Sequence, residues 1–244
     1  MKLISLNVEG CLHLDLVKQF FENQEADTIC LTESPEELTD WFDNLGYQQT
    51  FVPMCIKFHN GQPYQEGLLV ASKASHQAEV IPYFTPTTEV VIYDHDKRRE
   101  TQRHVVLYIE TDEINIATTH FTWNPVGEIA DDHQIEDMKN MLTALQPKPA
   151  HILCGDLNIP RKINHLYDDL TKYYIDNIPP EFNSSLDITL HRSGETPELK
   201  KLFDNFMVDY LFTQSPFVAE NTKLVFGMSD HAAVVSNVYK VTNY

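Results

Sequence analysis

The stretch from His151 to Pro160 constrains this chain more than any other. Its first half is a short apolar run bounded by turn residues, which predicts a buried strand, and Gly155 follows that run. Extended backbone points residues two apart to the same side, and the glycine allows another backbone or a ligand to approach. Asp156 and Asn158 therefore place a proton acceptor or metal neighbour beside an amide that both donates and accepts hydrogen bonds. A simple turn after a core strand explains this tetrapeptide equally well, so the rest of the chain has to decide.

Composition limits the kind of partner. The chain has 244 residues with abundant aromatics, which fits one globular domain spanning residues 1–244, and no repeat or linker divides it. Acidic residues outnumber basic ones 36 to 18, for a net charge of −18. Long duplex nucleic acid is an unfavourable partner, because binding to phosphates relies on Lys and Arg. A phosphate-ester substrate would need a local basic patch or a bound cation. The candidate patches are Lys97, Arg98 and Arg99 with Arg103, Arg161 with Lys162, and Lys200 with Lys201.

Cysteine usage and hydropathy predict the compartment. The four cysteines, Cys11, Cys30, Cys55 and Cys154, show neither Cys-x-x-Cys pairing nor zinc spacing. The apolar run before Asn7 is too short for a signal-peptide core, and no run has transmembrane length. We therefore expect a reduced, cytoplasmic protein that does not associate with a membrane.

The order of predicted elements indicates an α/β (α+β) fold. Residues 2–8 and 27–33 are predicted strands, each followed by a helix, at 14–21 and from Pro35 to about Leu45. Short β-rich segments then suggest hairpins; they cover residues 48–56, 67–72, 79–82, 90–93, 103–110 and 114–120. The second half contains predicted helices at 128–145 and 163–173, a long loop at 178–194, and strands at 208–212 and 232–241. This pattern predicts two sheets packed face to face with helices outside.

Polar side chains recur where the apolar strands end. They are Asn7, Glu33, His120, Asp156 with Asn158, and Asp230 with His231. Each alone has an ordinary explanation as a cap, a solvated acid or a satisfied core histidine. Together, these residue types supply what metal-assisted hydrolysis of a phosphate ester requires.

These motifs, in this order, resemble the endonuclease/exonuclease/phosphatase superfamily, the group of deoxyribonuclease I, exonuclease III and the inositol polyphosphate phosphatases. The resemblance is carried by Ser5-Leu6-Asn7-Val8, Cys30-Leu31-Thr32-Glu33, Thr119-His120-Phe121, Gly155-Asp156-Leu157-Asn158, Val208-Asp209-Tyr210 and Ser229-Asp230-His231. It implies a four-layer α/β/β/α sandwich of two mixed, mainly antiparallel sheets with the site at one rim. It also implies Mg²⁺, which Mn²⁺ can replace, with Glu33 as the principal ligand, Asn7 beside the metal and Asp230 in support.

The resemblance also implies roles in catalysis. Asp156 is similar to the residue that orients or deprotonates the attacking water, and Asn158 to the one that contacts phosphate and nucleophile. His120 and His231 resemble groups that contact phosphate oxygens, and Asp209 resembles the carboxylate that orients His231.

The sequence is less specific about which residues contact the substrate. Phe121 and Trp123 are candidates to stack on a base or an aromatic leaving group, and Asp187 is a candidate site-lining carboxylate. Core positions and a loop turn explain these three equally well. Thr119-His120-Phe121, the following helix with Gln134 and Met141, and residues 189–192 are most similar to the 5′-tyrosyl-DNA phosphodiesterase branch. Together with the acidic charge, this similarity implies a small or single-stranded substrate. A non-catalytic binding protein of the same fold and a duplex nuclease remain alternatives.

Overall fold

The computed structural model describes residues 1–194 and 196–241, in which twelve strands form two six-stranded sheets. The first sheet contains, in spatial order, β11 (Phe217–Val225), β12 (Ala233–Lys240), β1 (Lys2–Asn7), β2 (Thr28–Pro35), β4 (Gln62–Ser72) and β3 (Gln48–His59). The second contains β5 (Gln77–Phe84), β6 (His104–Glu110), β7 (Asn115–Thr119), β8 (Ile152–Asp156), β10 (Asp209–Thr213) and β9 (Ile175–Asp176).

Each sheet has one parallel pair among antiparallel neighbours. In the first sheet β1 runs parallel to β2, and in the second β7 runs parallel to β8. A helix makes each crossover, as parallel connections require: α1 (Leu14–Glu22) joins the first pair and α4 (Asp132–Leu145) the second. The carboxyl ends of both parallel pairs meet at one rim of the molecule.

The sheets pack face to face and helices cover their outer faces. Neighbouring residues of β1 show this alternation: Leu3 joins the core between the sheets, whereas Ile4 joins the core under α1 and α2 (Leu38–Asn44). On the other side, Met138 and Met141 of α4 and Leu170 of α5 (Leu166–Thr171) cover the second sheet. Strands buried on both faces have near-continuous apolar sequences, and these apolar runs are the pattern that predicted the strands. The predicted four-layer sandwich of two mixed, mainly antiparallel sheets is confirmed.

Several predicted boundaries are wrong. Pro35 does not open a helix; it is the last residue of β2, which continues past an irregularity between Leu31 and Ser34, and α2 begins at Leu38. The helix predicted from residue 128 begins at Asp132, because the Asp131 side chain caps it by accepting the Gln134 N–H at 2.8 Å. The helix predicted over 163–173 is shortened to α5.

Other differences concern whole elements. Residues 90–93 form no strand and make one isolated bridge between Ile92 and Ile56. Strand β11 was missed because it is a half-exposed edge strand with polar residues, and α6 (Pro197–Phe203) was missed despite its Thr196 cap and first-turn proline. The predicted domain spans 1–244, of which residue 195 and residues 242–244 lie outside the described part. Within that part, no helix is long and apolar enough to cross a membrane.

Candidate active site

The site lies at the rim where β1, β2, β7 and β8 end. Asn7, the last residue of β1, is buried and its Nδ2 donates to Glu33 Oε1 at 3.1 Å and to Asp156 Oδ2 at 2.9 Å. Glu33 has a φ of 49°, and the β2–β4 register shifts around it. One amide therefore joins a carboxylate of the first sheet to a carboxylate of the second.

Gly155 and Asn158 shape the second half of the rim. Gly155 has a φ of 128°, and a Cβ there would collide with the Thr119 carbonyl oxygen, so only glycine lets β8 approach β7 this closely. The strand ends at Asp156, and Asn158 adopts a φ of 51°, so a turn rather than extended backbone orients its side chain. The Asn158 N–H donates to Asp156 Oδ1 at 2.9 Å, and its Nδ2 donates to the Phe121 carbonyl at 2.9 Å.

Two histidines flank Asp156. His120 Nε2 lies 3.6 Å from Asp156 Oδ2 and 3.8 Å from Glu33 Oε1. His231 Nε2 lies 3.9 Å from Asp156 Oδ2, and its Nδ1 contacts Asp209 Oδ2 at 2.7 Å. Burial alone would lower the pKa of His231, but the carboxylates of Asp209, Asp230 and Asp156 raise that pKa well above its usual value.

Asp209 is fixed from its other side. The Ser185 hydroxyl donates to Asp209 Oδ2 at 2.6 Å, and Ser185 Oγ in turn accepts the Asp209 N–H at 3.1 Å. Asp209 is the first residue of β10 and pairs with Asp156 in the β10–β8 register. The sheet itself therefore brings together these two carboxylates.

On the first-sheet side, the carboxylates are balanced by a lysine that the sequence reasoning missed. Lys57 Nζ, from β3, lies 3.2 Å from Glu33 Oε2 and 2.6 Å from Glu66 Oε1. Burial alone would raise the pKa of Glu33, but Lys57 and then His120 hold that pKa well below its usual range. Burial raises the pKa of Glu66 to about 7, against the opposing charge of Lys57. Charged residues at the ends of the predicted strands were visible in the sequence, but the pairing of Lys57 with Glu33 and Glu66 was not.

Glu9 was also missed, although its position two residues after Asn7 was a signal. It is 5% exposed, has a φ of 53° and lies beside Asp230. Burial, followed by the charge of Asp230, raises the pKa of Glu9 to about 8. Arg192 Nε approaches Glu9 Oε1 at 3.4 Å, which ties the loop predicted over 178–194 to this corner.

The donor set suits a hard cation. A carboxylate oxygen of Asp156 and one of Asp209 lie within 4.8 Å of each other, and Asp209 Oδ1 is buried without a hydrogen-bond partner among the described residues. Burial raises the pKa of Asp156, as it does that of Glu9, so crowded negative charge here would be relieved by a cation. Asn7 Oδ1 accepts the Glu9 N–H at 3.0 Å, and its amino group faces the carboxylates of Glu33 and Asp156.

The predicted substrate-contacting residues are in different environments. Phe121 has no exposed surface and stacks on Tyr83, so it lies in the core and not on the substrate side. Trp123 is 41% exposed. Asp187 organises its own loop: its Oδ2 accepts the Gly227 N–H at 3.1 Å, and its N–H donates to the Asp230 carbonyl at 2.7 Å. It therefore supports the segment that carries Asp230.

Two arginines of the predicted basic patches pair with carboxylates inside the fold. Arg99 pairs with Asp137, and Arg161 Nε lies 3.0 Å from Asp176 Oδ2. Lys200 and Lys201 lie in α6. Arg98 lies over the ring of Trp123, with 4.5 Å from its Cζ to the ring centroid.

Comparison with known proteins agrees with this architecture. The model of the Endonuclease/Exonuclease/phosphatase family matches residues 4–231. No curated protein matches the sequence. An endonuclease/exonuclease/phosphatase from Beutenbergia cavernae DSM 12333 is similar in structure with a TM-score of 0.71 and 15% identity, covering 98% of this chain and 71% of that one.

Two structures of eukaryotic proteins have the same fold. The human Nocturnin catalytic domain with bound sulfate anion has a TM-score of 0.64 and 16% identity, covering 99% of this chain and 94% of that one. D. rerio TDP2 complexed with single strand DNA product has a TM-score of 0.66 and 14% identity, with 98% and 99% covered. At these identities, the likeness shows a shared fold.

Proposed function

Because this chain belongs to the endonuclease/exonuclease/phosphatase family, we propose that it is a metal-dependent phosphoesterase that hydrolyses a phosphodiester or phosphomonoester by in-line attack of water. The contact of Asn7 Nδ2 with both Glu33 and Asp156 is the observation that carries the proposal. It gathers a carboxylate from each sheet at one point, and His120 and His231 lie on either side of Asp156.

Glu33 and Asp230 would hold Mg²⁺, or Mn²⁺ in its place, with Asn7 orienting the Glu33 carboxylate. When bound, the cation would supply positive charge beside the phosphoryl oxygens and favour a deprotonated water.

The chain's own groups would handle the proton and the phosphate. Asp156 accepts the proton of the attacking water at Oδ2, while Asn158, whose amino group is occupied by the Phe121 carbonyl, offers Oδ1 to orient that water. His231, kept protonated by Asp209 at Nδ1, donates from Nε2 to a phosphoryl oxygen. His120 Nε2 donates to a second phosphoryl oxygen as negative charge develops.

We propose a small or single-stranded substrate, as in the tyrosyl-DNA phosphodiesterase type. The net charge of −18 disfavours long duplexes, and the structure of TDP2 with a single-strand DNA product supports an end-type substrate by analogy of fold. A cytoplasmic location is proposed from Cys11, Cys30, Cys55 and Cys154, which are all unpaired.

The test is hydrolysis of bis(4-nitrophenyl) phosphate with Mg²⁺ or Mn²⁺. Turnover is expected to disappear with chelator and in Asp156→Ala, while Asp169→Ala, on the outer helix α5, keeps wild-type activity. Turnover that resists chelator, or full activity of Asp156→Ala, would refute the proposal. Binding of Mg²⁺ without turnover across nucleotides, 5′-tyrosyl oligonucleotides and inositol phosphates would instead support a non-catalytic binding protein.

A further inference from the structure

Residues 85–103 connect β5 to β6 of the second sheet and reach across the rim to contact β3 of the first sheet; we call them the crossover segment. On the first-sheet side, the Ile56 N–H donates to the Val91 carbonyl and the Tyr93 N–H to the Ile56 carbonyl, both at 2.8 Å. This pairing puts the Tyr93 ring centroid 5.2 Å from Lys57 Nζ, which contacts Glu33. The segment therefore contacts the first sheet beside the lysine that pairs with Glu33, a proposed metal ligand.

Two adjacent arginines of this segment are in contrasting environments. Arg99 pairs with the fully buried Asp137 of α4, which also accepts the Thr122 hydroxyl at 2.5 Å, and its guanidinium lies over the Phe84 ring. Arg99 therefore fixes the crossover segment to α4. Arg98 makes one hydrogen bond, from Nη1 to the His95 carbonyl at 3.2 Å, and within residues 1–194 and 196–241 no carboxylate lies within 4.0 Å of it. Most of its N–H groups are therefore available to a ligand.

Trp123 is held next to this free guanidinium. Arg98 covers one part of the indole and the His95 ring centroid lies 5.9 Å away, yet 41% of Trp123 is exposed. Trp123 follows His120 by three residues, and the intervening Thr122 is fixed to Asp137. An exposed indole on the segment that follows His120 in the chain therefore stands beside a guanidinium without a carboxylate partner among the described residues.

We infer that Arg98 and Trp123 form a nucleoside subsite, in which a nucleobase stacks on Trp123 and Arg98 contacts a second phosphate of the substrate. The inference rests on the proposed phosphoesterase function and specifies its substrate class as a nucleotide with a phosphate beyond the scissile one. Stacking on an aromatic side chain is tolerant of base identity, and a guanidinium matches phosphate geometry in two hydrogen bonds. A single arginine with an aromatic surface suits a short substrate rather than a long duplex.

Three nitrophenyl esters separate the contribution of the nucleobase from that of the second phosphate. They are methyl 4-nitrophenyl phosphate, thymidine 5′-(4-nitrophenyl) phosphate, and the latter with an added 3′-phosphate. In the wild type we expect kcat/KM to rise along this series. Trp123→Ala is expected to reduce the gain from the base by about 10- to 100-fold. Arg98→Met is expected to reduce the gain from the 3′-phosphate by about tenfold or more, because a charge-assisted bond is lost.

Binding is measured without turnover by tryptophan fluorescence. The chain has two tryptophans, so in Trp41→Phe only Trp123 reports. Thymidine 3′,5′-bisphosphate in EDTA is expected to quench this emission saturably. Arg98→Met in the same background is expected to weaken binding, so that the half-saturation concentration rises by at least about tenfold. Matched controls are Tyr173→Ala, an exposed aromatic near α5, and Lys223→Met on edge strand β11. Neither is expected to change the series or the quenching.

The outcomes distinguish the two proposals. Equal kcat/KM for the three esters, or unchanged gains in both variants, overturns the subsite and leaves the phosphoesterase intact. If no ester is hydrolysed, the phosphoesterase proposal fails and the fluorescence titration decides the subsite: saturable quenching that needs Arg98 supports it, and the absence of quenching overturns it.

Discussion

The two halves of the rim balance buried acids with different cations. On the second-sheet side, Asp156 and Asp209 face the imidazole of His231, whereas on the first-sheet side, Glu33 and Glu66 share the ammonium of Lys57. Burial raises the pKa of Asp156, so this carboxylate can accept a proton, whereas a lysine paired with two acids stays charged. The difference assigns proton transfer to the second-sheet half and a fixed charge to the first-sheet half.

The pKa directions agree with this division. Burial opposes ionisation of both Glu33 and Asp156, yet the pKa of Glu33 is lowered and that of Asp156 is raised. Lys57 is the largest opposing influence at Glu33, while Asp209 adds to the effect of burial at Asp156. The half with the lysine keeps its carboxylate ionised for a cation, and the half without it keeps a carboxylate able to accept a proton.

The largest loss of activity is expected on replacing Asp156, at the point where the two halves of the rim meet. Asp156→Asn preserves shape but removes the proton acceptor, so kcat is expected to fall by about 10²- to 10⁴-fold with little change in the unfolding free energy. Steady-state kinetics on bis(4-nitrophenyl) phosphate measures this, with Asp169→Asn as the surface control. A loss below tenfold would mean that proton acceptance is not located at Asp156.

Removing the lysine tests the fixed-charge half. Lys57→Met leaves Glu33 and Glu66 buried together without a cation, and loss of one partner of a buried pair destabilises by about 3 kcal/mol. Urea unfolding measures the change, and Glu66→Gln added to Lys57→Met is expected to restore part of it. The control is Lys172→Met, whose pairing with Asp169 is exposed and screened by solvent, so a much smaller change in the unfolding free energy is expected. Equal effects of the two lysine variants would remove the distinction between the halves.

The residues of the rim differ in how far the sequence alone predicts them. Asn7, Glu33 and Asp156 could be selected as candidates because each comes at the end of an apolar strand segment, and His231 because it stands just before one. Strand ends are read from local pattern. The layered fold was predicted for the same reason.

Lys57 was out of reach because its partners depend on register. In the β3–β4 hairpin Lys57 pairs with Tyr64 and Cys55 with Glu66, after an irregularity between Pro53 and Cys55 that no local pattern reveals. Pro35 misled the helix prediction because pairing of β2 with β4 extends the strand through it, so tertiary contacts outweigh its preference for a first helical turn.

A smaller effect is expected from the orientation of His231. Asp209→Asn removes the charge that most raises the His231 pKa, so that pKa falls, and kcat is expected to drop roughly 10- to 100-fold, as for other carboxylates that orient histidines. NMR titration of the imidazole in EDTA measures the pKa. An unchanged titration would show that Asp230 and Asp156 suffice to keep His231 protonated.

The smallest expected effect concerns Glu66 and the pH dependence of stability. Its pKa rises from the model-peptide value of 4.5 to about 7 on folding. The folded state therefore holds this proton more tightly, so the contribution to stability is complete below pH 4.5 and is lost as the pH rises to about 7. One such group changes the unfolding free energy by at most roughly 1.4 kcal/mol per pH unit. Glu66→Gln carries no titrating proton and is expected to flatten the curve in this window, measured by urea unfolding from pH 4.5 to 8. If the mutant keeps the wild-type slope, Glu66 is already ionised beside Lys57 when folded, and the first-sheet half carries more negative charge than its lysine balances.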